Sequence, residues 1–197
     1  MTCLVICHFQ MNGYIPRVVQ ILVLRSSINF ILKISPMAAL PKIWKTKCMM
    51  KHKVFAWLFM MDSLNTWDML VRRQCPIPDA KCVTCQQERE TNEHLFFSCN
   101  FSLLCWSALG ISWNMSLNLA DRLSTAERLW KQPMFLECAI ICAWNIWKQR
   151  NRKYFDNVDP DIQCWLAQFS SDIHLLGARL KPALRDQLFS FVSEVRV

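Results

Sequence analysis

Four residues stand at spacings that could do metal chemistry: Cys82-x2-Cys85-x8-His94-x4-Cys99. Structural zinc takes four sulfur or nitrogen ligands in a tetrahedron, and two cysteines separated by two residues are the usual first half of such a site. The turn Cys82-Val83-Thr84-Cys85 can aim two thiolates at one point. His94 and Cys99 supply the second half. On a straight helix an offset of five residues separates side chains by about 140°. The chain must therefore leave helical geometry between His94 and Cys99, around residues 98–100, and Asn100 becomes a natural N-cap for a following helix. The set is Cys3His, with no acidic residue nearby that reads as catalytic. It predicts one closed, structural Zn2+, since catalytic zinc keeps a position open for water. Thiolates favour zinc over magnesium or calcium. Binding energy here would also order a loop that contains Pro76, Pro78 and several charges.

Other readings of the same residues exist. Paired cysteines can form a redox couple, but that motif belongs with a βαβ pattern, which is absent here. Zinc deaminases place His-x-Glu before their cysteine pair; here the order is reversed. Chance clustering is the third alternative in a chain with eleven cysteines. No nucleophile–base set and no phosphate-binding glycine loop is identifiable, and His8, His52 and His174 are isolated. The expectation is a protein that is not an enzyme.

The elements around these residues read as helices. Residues 43–61 place Ile43, Trp44, Cys48, Phe55, Leu58 and Met61 near helical spacing, with Lys45, Lys47, Lys51 and Lys53 between them. A short helix follows, capped by Asn65 or Thr66 and reaching Arg73. Pro76 and Pro78 force a loop. Leu103, Leu104 and Trp106 predict a helix ending near Gly110. A long helix opens with Pro133 in its first turn, buries Leu136, Ile140, Ala143, Ile146 and Trp147, and ends in the basic run 148–153. Asp159-Pro160 starts another, striped by Ile162, Trp165, Leu166, Phe169, Ile173 and Leu176 and stopped by Gly177. Pro182 begins the last. The expected fold is mainly α: a small helical domain with a Cys3His site over 41–110, a linker over 111–132, and a helical C-terminal region over 133–197. Residues 1–40 remain an unassigned N-terminal extension.

Composition agrees with helices and a packed core. Hydrophobic residues make up 53% of the 197, with nine Trp, twelve Phe and only three Gly, which excludes a disordered chain. Cys105, Cys138, Cys142 and Cys164 lie among apolar neighbours and read as small core residues. No segment reads as a signal peptide or a membrane span, so the expected location is intracellular, nucleus or cytoplasm, where thiols stay reduced. Residues 1–87 hold 11 Lys/Arg against 3 Asp/Glu, whereas 88–197 hold 12 of each. A basic first half suits a polyanion, although a solvated surface has the same composition.

Residues 42–106 resemble the zinc-binding domain that follows the reverse transcriptase in plant LINE-type (non-LTR) retrotransposon proteins. The matching pieces are Lys51-His52-Lys53-Val54-Phe55-Ala56-Trp57, Leu64-Asn65-Thr66, Leu70-Val71-Arg72-Arg73, Cys82-Val83-Thr84-Cys85, the run from Glu90 through Cys99, and Trp106. Downstream, Ile146-Trp147-Lys148-Gln149-Arg150-Asn151 and Phe155 resemble the helix that often trails this domain. Met50 departs from the family, which often has proline there. The resemblance places the four ligands on Cys82, Cys85, His94 and Cys99. The catalytic motifs of the parent proteins are not found: Tyr154-Phe155-Asp156-Asn157 is the nearest string to a polymerase box, and it has one aspartate where two must hold metals. The resemblance therefore implies a detached C-terminal piece of a retroelement protein.

The expected function is a zinc-stabilised, non-catalytic module that binds template RNA or target DNA. Lys45, Lys47, Lys51, Lys53, Arg72 and Arg73 are the candidate phosphate contacts. Trp44 and Trp57 could stack on bases, but helical spacing assigns them to the core. The run 148–153 is a second candidate contact, or a cationic helix C-terminus. The alternatives are a protein–protein adapter that docked on a reverse transcriptase domain, and a remnant without selected function.

Overall fold

The computed structural model describes residues 40–77 and 79–195. Residues 1–39, nearly all of the unassigned extension, and Pro78 of the expected loop lie outside the described residues. The fold is mainly α: the elements are α1 (Leu40–Lys45), α2 (Met50–Met60), α3 (Trp67–Arg72), a π-helical turn (His94–Ser98), α4 (Asn100–Ala108), α5 (Leu119–Leu129), α6 (Phe135–Asp156), α7 (Ile162–Gly177) and α8 (Pro182–Glu194). Extended pairing among the described residues is confined to one antiparallel bridge, Lys81 with Arg89.

α6 is the axis of the molecule. α7 and α2 pack along it, α4 lies against both α6 and α7, and α8 closes over α7. Most of the α7 stripe is buried as its spacing predicts: Trp165, Phe169 and Ile173 are fully buried and Leu176 nearly so, while Ile162 and Leu166 are half-buried. Each such side chain contributes about 1.5–3 kcal/mol relative to an exposed position. One apolar core runs from Ile43 to Val195, so the first helices and the C-terminal helices bury their faces against each other.

Helix ends follow local chemistry. Thr66 caps α3 by accepting from Met69 N at 3.3 Å, and Pro182 occupies the first turn of α8. Gly110 sits at φ +69° just past α4, the left-handed conformation that glycine adopts without penalty. Gly177 is the last residue of α7, where a Cβ would collide with the Phe189 ring of α8.

Several boundaries differ from the sequence reading. The helix expected over 43–61 is two helices, separated at residues 46–49. Thr46 Oγ1 donates to Ile43 O at 2.6 Å, Lys47 N donates to Glu137, and Arg179 donates to the carbonyls of Lys47 and Cys48. These distant partners satisfy the backbone that a continuous helix would otherwise bond to itself. Ile43 of α1 is buried in the core, whereas Trp44 beside it is 45% exposed instead of in the core, and Trp57 is buried as expected. The stretch 111–132 contains α5, capped by Asn118 and burying Ala126 and Arg122; its thin apolar stripe hid it. α6 begins at Phe135, after Pro133 and a left-handed Met134, and runs past the basic stretch to Asp156. α7 is capped by Asp161, which accepts from Cys164 N at 2.7 Å, not by Asp159. Cys105, Cys138 and Cys142 are buried core residues. Cys164 is half-buried and accepts from Arg152 at 2.7 Å.

Candidate metal centre

The first two ligands sit on a tight knuckle over 80–90. Cys82 N donates to Glu88 O at 2.6 Å, Gln86 N to Cys82 O at 2.8 Å, and Glu90 N to Ala80 O at 2.9 Å. Gln86 takes φ 58° to close the turn, and its side chain donates to Val83 O at 3.0 Å.

The other two ligands sit at either end of the π-helical turn. Thr91 Oγ1 accepts from His94 N at 3.0 Å and starts it. Cys99 N donates to His94 O at 2.8 Å across five residues, the wide ring of a π-turn. Cys99 itself is extended, at φ −64° and ψ 134°. The expected departure from helical geometry between His94 and Cys99 is present, and Cys99, not Asn100, is the N-cap of α4. Two side chains hold the break open. Ser102 Oγ donates to Leu95 O, and Trp106 Nε1 donates to Phe96 O at 2.6 Å. The tryptophan at 106 thus takes up a carbonyl of the metal-binding turn.

The four ligand atoms all lie within 4.8 Å of one another. Cys82 Sγ and Cys99 Sγ are 4.0 Å apart, and Cys85 Sγ is 3.2 Å from His94 Nε2. A tetrahedron with the usual zinc–sulfur and zinc–nitrogen bond lengths has edges of roughly 3.6–3.8 Å. Cys82 and Cys99 are fully buried, His94 is 6% exposed, and Cys85 is half-buried. The Cys99 sulfur beside it, and then burial, push the Cys82 thiol well above its ordinary range. A cation among these sulfurs reverses that balance and favours thiolates. His94 presents Nε2 to the sulfurs and turns Nδ1 towards Glu88 Oε2 at 3.0 Å and Ser98 Oγ at 3.2 Å. A carboxylate behind the far ring nitrogen fixes the orientation of a metal-ligating histidine. The donor set therefore fits a tetrahedral ion with all four positions filled by protein.

Behind the knuckle lies a buried ion pair that the sequence reading missed. Glu90 is fully buried and Arg150 of α6 is 3% exposed. Arg150 Nη2 donates to Glu90 Oε1 at 2.6 Å, and Nε reaches both carboxylate oxygens at 3.1 and 3.3 Å. The same carboxylate accepts from Val83 N, inside the cysteine knuckle, at 2.9 Å, and from Trp67 N, at the start of α3, at 3.1 Å. The guanidinium lies about 5 Å from the ring centres of Trp67, Trp147 and Tyr154. One carboxylate thus ties the knuckle, α3 and α6 together. Both residues fall within quoted strings of the sequence, but nothing local marks either as buried.

The basic residues divide. Lys51 pairs with Asp172 at 3.2 Å in a cluster that includes Lys148, His52 and Asn145. Burial alone would raise the Asp172 carboxyl. The His52 ring, with Nε2 3.6 Å from the carboxylate, and the charges of Lys148 and Lys51 outweigh it and hold the group well below the usual carboxylate range. Burial also holds His52 below its ordinary value. Arg72 pairs with Asp62 and Asp68 at 2.6 and 2.9 Å, and Arg73 donates to Asn65 at 2.6 Å. Lys53 donates to Trp44 O at 2.9 Å. In the run 148–153, Arg150 serves Glu90, Arg152 serves Cys164, and Lys153 pairs with Asp159 at 2.7 Å. Lys45 and Lys47 are exposed, and among the described residues no carboxylate pairs with either ammonium.

The fold and site define a helical module organised around a closed Cys3His metal centre. Residues 28–106 match the family described as zinc-binding in reverse transcriptase. The match spans all four ligands and ends at Trp106, while Arg150 lies beyond it. No match is found among curated proteins or among solved structures. No helix of the described residues is long and apolar enough to cross a membrane.

Proposed function

We propose that the centre holds one zinc ion in a structural role and that the module is non-catalytic, intracellular and binds nucleic acid, RNA or DNA. The closed Cys3His set supports zinc: three soft donors and one imidazole select it over magnesium or calcium, and the filled tetrahedron leaves no position for substrate. The observation that carries the nucleic-acid reading is the state of Lys45 and Lys47. Both stand exposed at the α1–α2 junction without a carboxylate partner among the described residues, so their charges remain available to phosphates. Arg72 and Arg73, by contrast, face internal acceptors. The test is fluorescence anisotropy of the full chain with labelled RNA and DNA oligonucleotides across salt. Binding that weakens steeply with salt, and weakens further in a Lys45→Ala/Lys47→Ala variant, supports the reading. A wild type that binds nothing at low ionic strength overturns it.

A second reading, an adapter that docks on a reverse transcriptase domain, draws on one feature. Leu103 and Leu104 of α4 are 46% and 54% exposed, directly after the metal-binding turn. Retention of a reverse transcriptase domain by the wild type, but not by a Leu103→Ser/Leu104→Ser variant, would favour it.

A further inference from the structure

We infer that the α1–α2 junction is a binding surface for single-stranded nucleic acid, in which Trp44 stacks on a base while Arg179 and Lys53 join Lys45 and Lys47 on the flanking phosphates. This inference rests on the nucleic-acid reading above and narrows it to one surface and one form of partner.

Three observations place these groups together. Lys53 Nζ lies 2.9 Å from Trp44 O, so the ammonium of α2 sits at the end of α1. Arg179, from the α7–α8 turn, donates through Nη1 to Lys47 O at 3.2 Å and Cys48 O at 3.0 Å. Lys53 and Arg179 also both bear on the Cys48 thiol, each lowering its pKa against a larger rise from burial. Lys53 and Arg179 therefore join Lys45 and Lys47 at residues 44–48. The nearby acids are Glu137, which accepts from Lys47 N at 3.3 Å, and Glu127, which pairs with Lys42. None of the four cations is paired with a carboxylate among the described residues, because Lys53 and Arg179 bond to carbonyls, and a carbonyl leaves the charge intact.

Trp44 makes the surface more than a charged patch. Trp44 is 45% exposed, on a short helix whose neighbouring Ile43 is buried in the core. An exposed indole among cations offers a base a stacking face while the cations hold the backbone, the arrangement by which proteins take single strands without reading sequence. Duplex bases are already stacked and cannot use it.

The experiment compares a labelled, unstructured oligothymidylate with a duplex of equal length, binding to the full chain by anisotropy over a salt series. The variants are Trp44→Ala, Trp44→Phe and Arg179→Gln, with circular dichroism to verify folding. Glutamine can still donate to the Lys47 and Cys48 carbonyls, so it removes charge without removing the cap. Trp44→Ala should weaken single-strand binding roughly tenfold and leave duplex binding unchanged, and Trp44→Phe should recover most of the loss. Arg179→Gln should reduce the slope of log affinity against log salt by about 0.7, the value for one phosphate on a single strand. Equal losses on single strand and duplex overturn the stacking role. Trp44 and Arg179 variants that bind like wild type, while Lys45→Ala/Lys47→Ala is weakened, overturn the stacking and the Arg179 contact inferred here and leave the broader reading standing. A wild type that binds neither oligonucleotide overturns both.

Discussion

The metal knuckle and the α1–α2 junction are both irregular stretches of backbone, and both are held by charged side chains from far along the chain. They use those charges in opposite ways. At the knuckle, Arg150 meets the Glu90 carboxylate with both groups at most 3% exposed, so the cation is neutralised and sealed behind Trp67, Trp147 and Tyr154. At the junction, Arg179 and Lys53 donate to carbonyls and keep their charge at the surface. One region converts charge into internal connection and the other leaves it for a partner. Counting lysines and arginines along a sequence cannot separate these cases, because the distinction lies in what each cation faces.

The largest expected effect is at the knuckle. Chelation of the metal should abolish cooperative unfolding of the chain by circular dichroism, since binding energy of roughly 10 kcal/mol or more is folding energy at such sites. Because Glu90 links knuckle to α6, amide exchange should rise around residues 147–154 as well as around the ligands. Protection of α6 that survives chelation would break the proposed link.

Next comes the ion pair itself. Glu90→Ala should cost about 3–5 kcal/mol in chemical denaturation, because Arg150 is left as a buried, unpaired charge. A Glu90→Met/Arg150→Met double variant should be more stable than Glu90→Ala alone, as apolar pairs often replace buried ion pairs without loss. Additive losses would show that the two residues act independently.

Asp172 should matter less, because Lys51 and Lys148 keep 39% and 35% side-chain exposure. Asp172→Asn should cost about 1–3 kcal/mol at neutral pH. The Asp172 carboxyl is depressed in the folded state, so its contribution is fully present above the ordinary value of 3.8 and is lost as pH falls below it towards the folded value. The gap between wild type and variant should therefore narrow in acid, measured at fixed zinc. The smallest effect belongs to Arg72→Ala. Its pairs are half-exposed, so stability should change by less than about 1 kcal/mol, and oligonucleotide affinity should stay within twofold.

The Cys3His cluster was legible because its signal is local. Cysteine and histidine spacing picks out the four residues that the fold brings together, and the five-residue offset requires the departure from helix that the π-turn supplies. The stripe of α7 and the opening of α8 were legible for the same reason: period and proline placement are read within one segment. The Glu90–Arg150 pair was not, since its partners stand 60 residues apart and a buried glutamate has no distinguishing neighbour pattern. Nor was the break between α1 and α2, whose helical periodicity is continuous. Donors and acceptors 90 and 132 residues away override it. Tertiary contacts also set the roles of the lysines and arginines, because identical residue types end at Asp172, at a carbonyl or in solvent.

The most direct test of the central claim is the metal content of the purified full chain, by elemental analysis, for wild type and for Cys85→Ser. The proposed structural zinc predicts about one zinc per wild-type chain and its loss in the variant. A folded wild type with no stoichiometric metal would contradict it.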